Sequence, residues 1–192
     1  LIVQTRQAGA THIVAIMSGN FVQRGEPACF DKWVRTKTAL SAGVDLVIEL
    51  PLPWVVAGAE TFAAGGVSIV NALGCVHQLS FGSECGDTEI LMETARILVA
   101  EPPVYRDFLQ KNLREGMSFP LARSRALTSY VTKSAISDVS FGDGHFIFPE
   151  QMDSILSSPN NILGIEYCKA LLRQNSSIRP HALLRKGSGY HD

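Results

Sequence analysis

Short apolar runs that stop abruptly at turn residues set the strongest limit on how this chain can fold. "HIVAIM" (12–17) and "DLVIEL" (45–50) are dominated by aliphatic residues, with no polar alternation, and a third run, "HQLSFG" (77–82), has similar length. Continuous apolar runs of this size are expected of strands buried on both faces of a parallel sheet. The segments between them have helical spacing instead. From Pro27 to Ala42, apolar Phe30, Val34, Ala39 and Leu40 recur while Lys32, Arg35 and Lys37 take other positions, and Gly43 closes the segment. A second helix is predicted from about Glu60 to Leu73. A third covers "TEILMETARILVA" (88–100), with Asp87 as its N-cap and Pro102 and Pro103 as its stop. Strands alternating with helices at this spacing imply right-handed crossovers, hence an α/β fold with an open parallel sheet and flanking helices.

The second half is mostly helical. Residues 104–133 carry helical periodicity in two pieces split at "EGMSFP", and "SDVSFGDGHFIF" (137–148) reads as a loop or insertion. A further helix follows "SSPNN", capped by Asn160 or Asn161, and the tail from Ile178 is a short strand and then a loop. "LIVQTRQAGA" reads as the later turns of a helix that ends at Gly9, so the chain begins inside an element.

Charge and cysteine usage narrow the function classes. The net charge is −1, so no global positive field points to nucleic acid, although a local basic face remains open. The four cysteines have no CxxC pairing and no histidine at ligand spacing, which points to reduced thiols in a cytoplasmic protein with no metal centre. No apolar run reaches the ~20 residues that a membrane helix needs, and no export signal is visible.

In open parallel sheets ligands bind beyond the carboxyl ends of the strands, which singles out two connections. In "SGNFVQRGEP", Ser18 and Gly19 let backbone amides approach a bound group, Asn20 and Gln23 offer amide donors, and Arg24 offers a planar fork suited to phosphate. In "FGSECGD", Gly82, Ser83 and Gly86 precede a helix N-terminus, and Glu84 is either a polar contact or a solvated side chain. Both stretches are equally compatible with ordinary turns; neither carries a fixed phosphate-loop pattern. Lys32, Arg35 and Lys37 beside Trp33 form a basic cluster with an aromatic, able to follow an RNA backbone and stack a base, or else a solvated helix face. The histidines look like strand-end or loop residues, and the His191–Asp192 pair has no nucleophile context.

Taken together, "IMSGNFVQRGEPACFDKWVRTKTALSAGVDLVIELP", "LSFGSECGD", "SPNNILGIEYCKAL" and the closing "GYHD" resemble the bacterial tRNA(Met) cytidine acetate ligase family, in the family's order and over nearly the whole chain. The resemblance implies a nucleotidylyltransferase-like α/β core over residues 1–100, truncated at its N-terminus, and a helical extension over 101–192 that completes the ATP site. It implies that acetate and ATP, with Mg2+, give acetyladenylate, and that the acetyl group passes to the wobble cytidine of elongator tRNA(Met). ATP contacts are implied at Gly82, at Asn160 or Asn161, and at Arg185. The loop from Ser18 and Gly19 to Arg24 joins the site, with Arg24, Lys32, Arg35 and Lys37 toward the RNA.

Such chemistry requires fixed amides and cations around phosphorus and departing pyrophosphate, not a protein nucleophile, and no catalytic residue is assigned. The family's H-x-G-H segment is expected ahead of Leu1 and its "SAT-x-IR" segment beyond Asp192. The full-length protein is therefore expected to be the ligase and this stretch alone to be weak or inactive. Two alternatives remain: a nucleotidylyltransferase acting on another small acid or phosphate ester, and a non-catalytic RNA-binding module using the Lys32, Arg35 and Lys37 face.

Overall fold

The structure, a computed structural model, describes residues 1–23, 25–136 and 149–185. Arg24, the 137–148 segment with His145, and residues 186–192 with "GYHD" lie outside the described residues. The elements run α1 (Ile2–Gln7), β1 (Val14–Ser18), α2 (Lys32–Ser41), β2 (Leu46–Leu50), α3 (Leu52–Val55), α4 (Ala59–Leu73) and β3 (Gln78–Ser83). They continue α5 (Thr88–Ala100), α6 (Pro103–Arg114), α7 (Phe119–Ile136), α8 (Pro149–Ser157), α9 (Pro159–Arg173) and β4 (Arg179–Leu184).

The strands pair in parallel, as the alternating pattern requires: Val14 opposite Leu46 in β1–β2, and Gln78 opposite Arg179 in β3–β4. Among the described residues each strand has one paired neighbour, so there are two parallel pairs flanked by helices. That explains one departure from expectation. "HIVAIM" reads as a strand buried on both faces, yet β1 is only half-buried at every position.

Helix α2 also starts later than its periodicity suggests. Pro27 pairs across to Phe21 in an antiparallel bridge, and the helix begins only where the Asp31 side chain accepts a hydrogen bond from Val34 N at 2.8 Å. Asp87 caps α5 as expected, accepting from Glu89 N at 3.0 Å and Ile90 N at 3.1 Å. The capping role given to Asn160 or Asn161 is not what forms: both lie inside the first turn of α9, whose N-cap is Ser158. Ser158 makes no side-chain cap bond; its hydroxyl is turned backward and donates to Ser154 O at 2.9 Å.

Helix α9 is the centre of the packing. It lies between α4 and α5 and under β3–β4, and Phe81, Leu91, Leu127, Ile165 and Cys168 meet around it in one apolar core. Each large side chain buried there contributes roughly 1.5–3 kcal/mol. The approach to β3 depends on Gly164, where an added Cβ would sit 2.7 Å from Phe81 Cε2 and 3.2 Å from Leu91 Cδ1.

A chain of charges crosses the same region. Arg123 of α7 donates to Glu166 at 2.8 Å and Lys169 to Glu166 at 2.6 Å. Glu60 of α4 then lies 3.5 Å from Lys169 and also pairs with Arg173. Glu166 and Lys169 are buried, so these bonds satisfy charges that would otherwise be costly to remove from water.

Candidate functional site

The carboxyl end of β1 leads into the first candidate loop. Beyond Ser18 the chain folds into a small hairpin, in which Val22 N donates to Glu26 O at 2.9 Å and Ala28 N to Asn20 O at 2.9 Å. The Asn20 side chain then accepts from Lys32 N at 3.0 Å, tying the loop to the start of α2. Arg35 reaches back from the next turn: Nη1 donates to Ser18 O at 2.9 Å and Gly19 O at 2.7 Å, and Nη2 to Ser18 Oγ at 3.2 Å. Gly19 is buried, and any Cβ there would collide with the Glu49 carboxylate. Glu49 in turn pairs with Lys32 Nζ at 2.8 Å, and that ammonium lies 5.4 Å from the centre of the Trp33 ring. Ser18, Gly19, Lys32, Trp33 and Glu49 line a cavity of about 120 Å³ at the head of the strand pair.

The basic residues of this region therefore have different employments. Arg35 holds the loop in shape and Lys32 is paired with Glu49, while Lys37 is exposed on α2. Ser18, Gly19, Lys32 and Arg35 come together around one loop; Arg24 belongs to the same loop but lies outside the described residues.

The second site forms at the carboxyl ends of β3 and β4. Arg185 N donates to Ser83 O at 3.0 Å, and the side chain of Arg185 lies across Gly82, where a Cβ would be 3.3 Å from Arg185 Cγ. The connection that follows is gripped by the first turn of α9. Asn161 Oδ1 accepts from Ser83 Oγ at 2.7 Å, Glu84 N at 2.9 Å and Cys85 N at 3.1 Å. In return the Glu84 carboxylate accepts from Asn160 N at 3.2 Å, Asn160 Nδ2 at 2.7 Å and Asn161 N at 2.8 Å.

Glu84 thus supplies from another part of the chain the acceptor that Ser158 does not offer to the free amides of α9. Burial pushes the Glu84 carboxyl pKa up, but the hydrogen bonds from the Asn160 side chain and from the Glu84, Asn160 and Asn161 amides outweigh it. The net shift is downward. Asn161 is only 1% exposed, whereas Asn160 is half-buried and Arg185 exposed. Gly82, Asn160 and Arg185 are thereby brought to one end of one strand pair. The reading of Glu84 as solvated fails, because its partners are 76 and 77 residues away in sequence and no local signal shows them.

The family model that describes HIGH nucleotidyl transferases matches residues 1–192. The chain belongs to that family. Among curated members, the tRNA(Met) cytidine acetate ligase of Clostridium perfringens is 46% identical over 181 residues, which are 94% of this chain and 42% of that protein. The enzyme of the same name from Halothermothrix orenii is 49% identical over 179 residues, 93% of this chain and 40% of that protein.

Solved structures agree in fold. The apo form of Thermotoga maritima TmcAL superposes with a TM-score of 0.89 at 39% identity, over 99% of this chain and 42% of that one. The same protein bound with alpha-thio ATP gives a TM-score of 0.87 at 38% identity, over 97% of this chain and 42% of that one. This HIGH nucleotidyl transferase chain therefore spans 40–42% of the length of those relatives, and its two strand pairs belong to a nucleotidylyltransferase-like α/β fold.

Proposed function

We propose that this chain is the nucleotide-handling part of an ATP-dependent ligase that forms acetyladenylate and acetylates the wobble cytidine of elongator tRNA(Met). The observation that carries the reading is the convergence of Gly82, Asn160 and Arg185 at the carboxyl ends of β3 and β4, where a parallel sheet presents its ligands. The names of the curated relatives and the alpha-thio ATP bound by the Thermotoga protein support it.

In the first step an acetate oxygen bonds to the α-phosphorus and the bond to pyrophosphate breaks. In the second the cytidine amine takes the acetyl group, with loss of a proton, and AMP departs. Neither step requires a protein nucleophile, so the demand is for fixed hydrogen-bond donors and cations. In this reading Ser18 and Gly19 face the nucleotide across a loop that Arg35 holds, and Arg24 and Lys37 meet RNA phosphates with Lys32 and Arg35 behind them.

Residues 1–100 supply β1 to β3 of the α/β core, and 101–192 supply α9 and β4 together with the Asn- and Arg-bearing segments that complete the site. Among the described residues no three His, Cys, Asp or Glu side chains gather to hold a metal, so Mg2+ would come with the ATP phosphates. A tRNA substrate places the protein in the cytoplasm; among the described residues no helix is long and apolar enough to cross a membrane.

The test is ATP–pyrophosphate exchange by the protein extended to its relatives' full length. Exchange should depend on acetate and be abolished by Gly82→Trp, which would push against Arg185. Exchange driven by a different acid or by a phosphate ester, with acetate inert, would overturn the acetate assignment. Binding of tRNA that survives Gly82→Trp in a protein that never binds ATP would favour an RNA-binding module.

A further inference from the structure

The cavity at the head of β1–β2 lies between one face of that strand pair and the first turns of α2. Val47 and Glu49 alternate onto the same face of β2, Met17 stands opposite Glu49 on β1, and Lys32, Trp33 and Thr36 close the space from the helix. At about 120 Å³ it is well below the roughly 300–1,000 Å³ of a site for a drug-sized ligand, which suits it to a single ring or a smaller group.

Its charges are set against an anion. Lys32, the cation of the lining, already donates to Glu49 Oε2 at 2.8 Å, and the other carboxylate oxygen, Oε1, has no hydrogen-bond partner among the described residues. That oxygen lies where a side chain at Gly19 would have to go, so the glycine is what lets the carboxylate stand there. An entering acetate or phosphate would meet this negative charge with no free ammonium to offset it. What the lining does offer is an open acceptor beside an aromatic face: Trp33 is 68% exposed, and the Lys32 ammonium, 5.4 Å from the ring centre, holds one part of its surface.

Resting on the ligase reading above, we propose that this cavity receives the cytosine ring of the RNA acceptor, with Trp33 stacking on the ring and Glu49 accepting a hydrogen bond from its exocyclic amine. Unpaired RNA bases are read in this manner, by an aromatic side chain on the ring and by hydrogen bonds to its edge. A carboxylate suits cytosine because the amine donates to it, whereas uracil presents a carbonyl oxygen at the same position and is repelled. Glu49 is thereby a specificity-determining residue, and Lys32 orients it.

The experiment uses the protein extended to its relatives' full length and measures, by fluorescence anisotropy, the Kd of two anticodon stem-loops that differ only in having cytidine or uridine at the wobble position. The unsubstituted protein should prefer cytidine by about tenfold. Glu49→Gln keeps the size of the side chain, and its amide can accept from cytosine or donate to uracil, so the preference should fall to about one. Trp33→Ala should weaken both RNAs about tenfold and keep their ratio, without changing the salt dependence that phosphate contacts set.

A preference for cytidine that Glu49→Gln retains would overturn the proposal, as would equal binding of the two RNAs by the unsubstituted protein. A raised KM for acetate in Glu49→Gln with the cytidine preference intact would mean that the cavity takes the small acid, and overturns it too. Should Glu49→Gln not fold, Trp33→Ala decides: its effect must vanish for a stem-loop abasic at the wobble position, and a weakening that persists there would sink the base pocket. Failure of the unsubstituted protein to acetylate tRNA from ATP and acetate would sink the ligase reading itself. Acetylation that proceeds while Glu49→Gln still favours cytidine sinks only the pocket.

Discussion

Two lysine–glutamate pairs of nearly equal length sit behind the two strand pairs, and they do different work. Lys169 and Glu166 are 2.6 Å apart with side chains 6% and 2% exposed, whereas Lys32 and Glu49 are 2.8 Å apart with side chains 33% and 50% exposed. The buried pair is one link in a chain from Arg123 through Glu60 to Arg173 and ties α7, α9 and α4 together. The exposed pair closes one wall of the small cavity beyond β1 and is screened by solvent. The chemistry is the same in both and the distances nearly so, which leaves burial to decide whether an ion pair holds the fold or merely shapes a surface. The β3–β4 half buries its ion pair inside the frame, and the β1–β2 half carries its Lys32–Glu49 pair in contact with solvent.

The largest expected effect tests the frame. Lys169→Ala leaves Glu166 buried with Arg123 as its remaining partner and should cost about 3–5 kcal/mol in urea unfolding, with Lys169→Met less damaging than Ala because it fills the space. A loss below ~1 kcal/mol would mean that the two pairs are equivalent after all. Next comes Arg35→Ala, which removes three hydrogen bonds to Ser18 and Gly19 from a half-buried position; about 1–2 kcal/mol is expected. Arg35→Lys should recover little of it, since an ammonium cannot span both carbonyls and the hydroxyl.

Acid comes third. Glu60 is held below its ordinary value first by the Arg173 hydrogen bond, against burial, with Lys169 adding to the depression, and Glu84 is also lowered. Both have folded pKa values under the model-compound 4.5, so their contribution to stability is complete above that pH and drains away as pH falls from it through the folded values. The urea midpoint should therefore hold from neutrality to roughly pH 5 and then decline, and Glu84→Gln should shallow the decline. A midpoint that rises on acidification would contradict the assignment. Smallest is Lys32→Ala, expected within ~0.5 kcal/mol of the parent in the same assay, because its partner is half in water.

How much of this was legible in the sequence depended on the range of the interaction. The positions of the strands, though not the double-sided burial expected of β1, the helix over 88–100 with its Asp87 cap, and the break at "EGMSFP" are local patterns, and they form where their periodicity and turn residues suggest. Helix α2 starts later than its periodicity predicts because Pro27 is engaged by Phe21, a cross-loop pairing that helical periodicity does not register. The short helix α3 follows Pro51 inside an apolar run, where periodicity has no polar face to reveal it.

At the site, the two glycine-bearing loops could be named from their place after strands. What could not be read was which polar groups turn inward. Arg35 and Lys32 read as an RNA-facing pair, and local pattern does not show that they also bond to the Ser18 and Gly19 carbonyls and to Glu49. Glu84 and Asn161 looked like independent loop and cap residues, and their mutual grip exists only once α9 has been packed against β3.

The register of the two strand pairs also bears on the order in which the molecule can assemble. The Ile13–Asp45 bond at the head of β1–β2 joins residues 32 apart, whereas Ser80 and His181 across β3–β4 are 101 apart. Loop-closure entropy rises with the logarithm of that separation, and distant pairings slow folding. On a ribosome the first pair can close while most of the chain is still being made. The second must wait for β4, and until then β3 is an open edge over a core that α9 has yet to fill. Nascent chains halted before Arg179 should accordingly be the ones that chaperones retain and proteases find.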